Sequence, residues 1–133
     1  MDDREISDYI IKQASLYDVK EVGFDAYNAA SLVARLHEAG LPVKKVGQGM
    51  AVLSNPSKHV ERLIMNQQIK HDGNPFIGWQ LSNCECYEDV NGNIKIRKGS
   101  DHSAKVDGII SLIIAMHCSL DNPAMSGFGF RTF

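Results

Sequence analysis

The sequence predicts an α/β protein, and three patterns along the chain support this class. The run Val22-Gly23-Phe24 precedes an alanine-rich helical pattern, and a second short strand pattern follows at 43–46. A strand, a helix and a strand in this order form a crossover, which joins parallel strands. Two alternating runs at 84–87 and 94–97 predict an antiparallel hairpin. A long apolar pattern at 104–120 predicts a helix that is buried against a sheet.

The elements of the first half are predicted from the periodicity of apolar residues and from residues that typically begin or end a helix. An opening helix is predicted because apolar residues recur at helical spacing from Ile6 to Tyr17. The helix of the crossover should end at Gly40, a typical C-terminal cap, because Pro42 follows closely. After the second strand we expect a loop from Met50 to Asn55.

The elements of the second half are predicted by turn and cap residues. Pro56 directly follows two residues whose side chains can cap a helix. This order predicts a helix that starts at Pro56. The segment 70–75 has turn composition, and the apolar cluster at 76–81 fits a short helix. Asn91-Gly92 predicts the tight turn of the hairpin. The domain should span residues 1–120, and the aperiodic segment 121–133 should be a flexible tail.

Composition limits the class of protein. The 133 residues are 44% hydrophobic, which fits one domain or a piece of a larger protein, and the formal net charge is −2. No apolar run has the length of a bilayer span, and the N-terminus lacks the pattern of a signal peptide, so a cytoplasmic location without membrane contact is expected. Cys84 and Cys86 should point to one face of a strand and stay reduced. Any contact with DNA must be local.

Two acidic residues occupy positions where catalytic groups are expected. Asp25 follows the first strand, and ligands of open α/β sheets collect at the carboxyl ends of strands. Asp107 lies in an otherwise apolar register at the start of the last helix. Carboxylates suit Mg²⁺ or Mn²⁺, and a pair of such metals supports in-line hydrolysis of a phosphodiester. Asp25 and Asp107 are therefore candidate catalytic and metal-binding residues, and together with the resemblance given below their places predict that they approach each other.

Structural roles for the same residues stay open. Asp107 could interact favourably with the macrodipole of its helix, and Asp25 could be the N-cap of the helix that follows. Asp101 and His102 precede Asp107 and are candidates for contact with the site, as is Asn28. The Cys84-x-Cys86 pair lacks the spacing of a zinc site and fits strand packing better.

The order of several short segments resembles the C-terminal nuclease domain of phage terminase large subunits. The resemblance runs from about Ile6 to Leu120. It is carried by these motifs: Val22-Gly-Phe-Asp25-Ala-Tyr-Asn28; Val46-Gly-Gln48-Gly49 with Leu53-Ser54 and Pro56; His71-Asp-Gly73-Asn74-Pro75 with Trp79 and Asn83; Gly92-Asn93-Ile94; and Lys105-Val-Asp107-Gly108.

The resemblance implies a fold, an activity and partners. The fold would be a ribonuclease H-like mixed sheet with flanking helices. The activity would be cutting of concatemeric viral DNA during packaging, with two divalent metals held by acidic residues. Asp25 matches the acid at the end of the family's fourth strand, and Asp107 matches the acid on its final helix. The implied partners are double-stranded DNA, the terminase small subunit and the portal protein in the host cytoplasm.

The chain also departs from the family's pattern. The family has a further aspartate on a first strand, and no segment before Ile6 could supply that strand. No Gly-x-x-x-x-Gly-Lys-Ser/Thr phosphate loop of an ATPase occurs either. The resemblance therefore implies an N-terminally truncated domain, which could borrow a strand as a homodimer. A non-catalytic DNA-binding or assembly fragment remains an alternative, as does another ribonuclease H-like nuclease such as a resolvase.

The DNA contacts are predicted from the basic residues around the two acids. Lys58 and Lys105 belong to a local basic patch that should bind the phosphate backbone. Gln48 and Ser54 lie in the predicted loop and could donate hydrogen bonds to phosphates. Contacts of this kind should be independent of sequence and weakened by salt.

Overall fold

The computed structural model describes residues 2–27 and 29–122, which divide into two compact units. The first unit ends at Gly47 and the second begins at Gln48. The described residues form five helices and four strands. None of these helices is long and apolar enough to cross a membrane.

The first unit contains the predicted crossover. Its elements are α1 (Asp3–Ala14), β1 (Val22–Phe24), α2 (Ala30–Glu38) and β2 (Val43–Lys45). The strands pair in parallel with Val22 opposite Val43, which confirms the prediction. At the end of α2, Gly40 has a φ of 80°. The Gly40 and Leu41 amides donate to the carbonyls of His37 and Leu36, and this pattern is a Schellman motif that ends the helix.

Helix α1 is held against α2 by polar as well as apolar contacts. The Arg35 Nε donates a hydrogen bond of 2.7 Å to the Ser7 hydroxyl, which is fully buried. The Arg35 Nη2 forms an ion pair of 3.0 Å with Asp8. At the start of α1, Asp2 and Glu5 form a capping box. Local caps and the contacts of a partly exposed arginine with Ser7 and Asp8 therefore help to define this helix pair.

The second unit is a helical layer on a hairpin. Its elements are α3 (Met50–Met65), α4 (Pro75–Ser82), β3 (Cys84–Glu88), β4 (Ile94–Lys98) and α5 (Asp107–Asp121). The predicted hairpin is confirmed as an antiparallel pair, β3 with β4. Within this unit α5 packs mainly on α3 and α4, and α3 covers β4. Its buried core includes Leu53, Val60, Ile94, Ile109, Ile113 and Ile114.

Two predictions about these helices are wrong. The expected loop from Met50 to Asn55 is helical, and Pro56 lies inside α3 and not at its start. A proline inside a helix removes one backbone hydrogen bond, and its ring also crowds the carbonyl four residues earlier. Leu53, Ser54 and Pro56 are buried on one face of α3, and this burial offsets the loss. In the second unit, the main neighbours of α5 are also helices, where a sheet was expected.

Two predictions fall outside the described residues. These are the role of Asn28 and the flexible tail, of which only Asp121 and Asn122 are described.

Candidate active-site carboxylates

Asp25 stands directly after β1 and is exposed. Its Oδ1 accepts a hydrogen bond of 3.2 Å from the Tyr27 amide. Helix α2 begins only at Ala30, and its cap residue Ala29 makes no side-chain cap. The alternative interpretation of Asp25 as the N-cap of this helix is therefore wrong. The carboxylate ends a strand, as the sequence predicts, and its Oδ2 accepts no hydrogen bond from the part of the chain that is described.

Asp107 is the first residue of α5 and is exposed. The cap residue Val106 provides no side-chain hydrogen bond to the helix. Within residues 2–27 and 29–122, no group donates a hydrogen bond to the Asp107 carboxylate. A negative charge here also interacts favourably with the helix macrodipole, so the structural role stays open beside the catalytic one.

The start of α5 is held by α4 on both sides of Asp107. The Gln80 side chain is 3% exposed, and its Oε1 accepts a hydrogen bond of 2.6 Å from the Gly108 amide. The Asn83 Nδ2 donates a bond of 3.0 Å to the Lys105 carbonyl. These two contacts fix the backbone that carries Asp107.

A residue larger than glycine at position 108 would force the neighbouring side chains to shift. A β carbon on Gly108 would lie 2.9 Å from the Gln80 Oε1 and 3.0 Å from the Ile77 Cδ1. Gln80 is therefore a positioning residue that was not predicted from the sequence. The available signal was a glutamine inside the apolar pattern of α4.

Asp101 and His102 lie in the exposed turn before Asp107. The Asp101 Oδ1 accepts the Ser103 amide at 2.9 Å and the Ser103 hydroxyl at 2.8 Å. The amide bond and then the hydroxyl bond lower the pKa of Asp101 below its ordinary value. This carboxylate therefore has a local structural function in organising its turn.

The predicted DNA-contact residues differ in their exposure. Lys58 on α3 and Lys105 are exposed, and Gln48 is half-buried just before α3. Ser54, in contrast, is 6% exposed, and its hydroxyl accepts a hydrogen bond of 3.0 Å from the Ile94 amide. Its predicted place in an exposed loop is wrong because α3 begins four residues earlier, at Met50. Ser54 is therefore left out of the DNA contacts proposed below.

The described cysteines of the second unit give no support for a binding site for a soft metal ion. Cys84, Cys86 and Cys118 form no disulfide bond with one another, and burial raises the pKa of the Cys84 thiol. Among the described residues, no three His, Cys, Asp or Glu side chains form a group that could hold a metal ion. Any metal site would thus have to use fewer protein ligands or a ligand from outside this part of the chain.

A family model identifies the class of protein to which the chain belongs. The family model of the terminase large subunit, endonuclease domain, matches residues 1–122. The chain belongs to this family.

Two individual proteins are similar to this chain. The crystal structure of the HK97 bacteriophage large terminase superposes with a TM-score of 0.76 at 20% identity, over 89% of this chain. This similarity confirms the ribonuclease H-like α/β fold. Protein YmfN of Escherichia coli (strain K12) is 29% identical over an alignment that covers 81% of this chain. The chain spans 25% of the length of each of these two proteins.

Proposed function

We propose that this chain is a metal-dependent DNA endonuclease domain that cuts concatemeric viral DNA by two-metal phosphodiester hydrolysis. Membership of the terminase endonuclease family over residues 1–122 carries this proposal. The exposed acids Asp25, after β1, and Asp107, at the start of α5, support it because the resemblance matches them to two acids of the family.

Asp25 and Asp107 would hold Mg²⁺ or Mn²⁺. Their oxygens are the hard ligands that these cations prefer. Asp107 has both carboxylate oxygens available, and Asp25 has its Oδ2 available, within the described residues. A bound pair of cations would activate water and stabilise charge on the phosphate. Gln80 and Asn83 hold the backbone of Asp107 in position for this role. A third carboxylate from outside the described residues would complete the ligand set.

The test is Mn²⁺ binding and DNA cleavage by variants of the two acids. We expect Asp25→Asn and Asp107→Asn to weaken Mn²⁺ binding in calorimetric titration and to abolish any cleavage of linear duplex DNA. The fold should be unchanged or slightly more stable, because two nearby carboxylates repel each other without a metal.

Matched controls separate catalysis from local structure. Asp72→Asn is the control for Asp25, since the Asp72 Oδ1 also accepts an amide two residues ahead, at 3.0 Å. Asp3→Asn is the control for Asp107, since Asp3 also lies in the first turn of a helix. Unchanged Mn²⁺ affinity in both site variants, or an equal loss in the controls, would refute the proposed site.

A non-catalytic DNA-binding or assembly role is the second candidate. It is favoured by the finding that no three-residue ligand group exists within the described residues. This role predicts DNA binding without cleavage at any Mn²⁺ concentration, whereas cleavage that requires Asp25 and Asp107 would exclude it. A preference for branched over linear DNA would instead favour a resolvase.

The family resemblance also supports proposals about assembly. We infer that the chain acts on double-stranded DNA in the host cytoplasm, with the terminase small subunit and the portal protein as partners. A homodimer is the proposed state of the isolated chain. Light scattering after size exclusion tests this, since a monomeric mass at all protein concentrations would exclude the dimer.

A further inference from the structure

Helix α4 carries two large aromatic side chains that are exposed to solvent. Phe76 is 55% exposed and Trp79 is 42% exposed. Their ring centroids are 5.5 Å apart, and the ring planes are inclined by 31°. Aromatic rings at this separation attract each other, so each ring helps to orient the other. We call these two rings the aromatic pair.

The aromatic pair lies beside the backbone that carries Asp107. Gln80 directly follows Trp79, and its Oε1 accepts the Gly108 amide at 2.6 Å. Phe76 and Gln80 are four positions apart, so they lie on the same side of α4, about one helical turn from each other. The residue that holds the start of α5 is therefore a direct neighbour of both aromatic rings.

The charges around the aromatic pair suit a nucleic acid. Helix α4 contains no charged residue, so it presents no carboxylate of its own that would repel a phosphate. Lys105 is exposed, and its carbonyl accepts a hydrogen bond of 3.0 Å from the Asn83 side chain at the end of α4. Aromatic rings close to a cation are the combination by which proteins bind the bases and the phosphates of single strands.

We propose that the aromatic pair stacks on an unpaired base next to the phosphate that is cut. Inside a duplex each base is stacked on its neighbours, so its flat face is covered until the strand opens. Stacking on an aromatic ring accepts any base, because every base has such a face. The preferred substrate is therefore duplex DNA with a frayed end or an unpaired segment. This inference rests on the proposed function, because it places the aromatic pair beside a metal-binding acid.

The fluorescence of Trp79 reports on stacking, because this residue is the only tryptophan of the chain. We titrate the full chain with a labelled single-stranded oligonucleotide and, separately, with a labelled abasic oligomer that has the same number of phosphates. Both titrations contain EDTA, so neither a bound metal nor cleavage contributes. We expect the oligonucleotide to quench Trp79 and, by anisotropy of the label, to bind about tenfold more tightly than the abasic oligomer.

Variants assign this preference to the two rings. Phe76→Leu and Trp79→Leu should each weaken binding of the oligonucleotide several-fold and leave the affinity for the abasic oligomer unchanged. Tyr9→Leu removes an exposed ring from α1 and is the matched control, which should change neither affinity. Circular dichroism identifies any variant that has lost its fold, and the comparison of the two oligomers on the unchanged chain needs no variant.

Several results would overturn the proposal. These are equal affinity for the two oligomers, no binding to either at low salt, or an emission of Trp79 that does not change on binding. An emission that changes with protein concentration in the absence of DNA would also overturn it, because a second copy would then cover the aromatic pair. Failure of the proposed function gives a different result: stacking in EDTA persists, while Asp25→Asn and Asp107→Asn leave the Mn²⁺ affinity unchanged.

Discussion

At the scale of single residues, Ser54 and Ser57 lie on the same buried face of α3 but differ in hydrogen bonding. Ser54 accepts the Ile94 amide and so ties α3 to β4. The Ser57 hydroxyl is buried and has no hydrogen-bond partner in the described part of the chain. One hydroxyl therefore satisfies a buried donor, and the other is buried without a partner among the described protein groups.

We predict opposite effects of removing these two hydroxyls. Ser54→Ala should destabilise the fold by about 1–3 kcal/mol, because the buried Ile94 amide loses its acceptor. Ser57→Ala should be neutral or stabilising, because it removes an unsatisfied buried group. Urea unfolding of both variants measures the difference. Equal losses of stability would mean that the bond from Ile94 to Ser54 contributes little.

At the scale of elements, the β3–β4 hairpin depends on one carboxylate in its turn. The Asp89 Oδ1 accepts the Asn91 and Asn93 amides at 2.9 Å each. Its Oδ2 accepts the Asn93 Nδ2 at 3.1 Å. The side-chain bond from Asn93, and then the backbone bond from the same residue, lower the pKa of Asp89.

We predict that acid weakens this turn. Because the folded-state pKa of Asp89 is lowered, its contribution to stability is present above its unfolded pKa, about 3.9, and is lost as pH falls through the folded value. Amide exchange at the turn end of the hairpin should therefore accelerate on acidification. Asp89→Asn is the control, since it keeps an acceptor but cannot titrate. A turn with the same response to acid in both proteins would rule out Asp89 as the cause.

Elements defined by local signals could be predicted from the sequence. Gly40 and Asn91-Gly92 mark a helix end and a turn through backbone conformations that glycine favours, and both glycines have φ near 80°. The start of α3 could not be predicted, because Pro56 fits a first helical turn as well as an interior position that burial stabilises. Local pattern alone does not decide between these two.

The candidate site could be predicted only in part for a similar reason. The places of Asp25 and Asp107 follow from the strand end and the helix start beside them. The hydrogen bond from Gly108 to Gln80 joins residues that are 28 positions apart, so no local sequence pattern indicates it. Ser54 was misplaced because its partner, Ile94, is 40 positions away.

At the scale of the whole molecule, a net charge of −2 coexists with exposed basic residues that can contact DNA. Lys58 and Lys105 belong to the second unit, whereas acids are frequent in the opening helix of the first. Local cations of this kind can bind phosphates even when the chain as a whole is acidic.

We predict weak, sequence-independent DNA binding that falls steeply with salt. Each phosphate contact that is removed should reduce the slope of log affinity against log salt by about 0.9. Lys58→Gln and Lys105→Gln should each have this effect, and Lys12→Gln on α1 should not. Fluorescence anisotropy with two unrelated duplexes measures it. Affinity that depends on the duplex sequence, or that is indifferent to salt, would contradict the prediction.

The close approach of Gly108 to Gln80 constrains how this family can diverge. A β carbon at position 108 would lie 2.9 Å from the end of the long side chain at position 80, which would then have to shift. A shorter side chain at position 80 would relieve this close contact but would leave the amide at 108 without its acceptor. Substitutions at these two positions should therefore occur together in related sequences. Covariation between these two positions would then reveal the contact that fixes the start of the last helix.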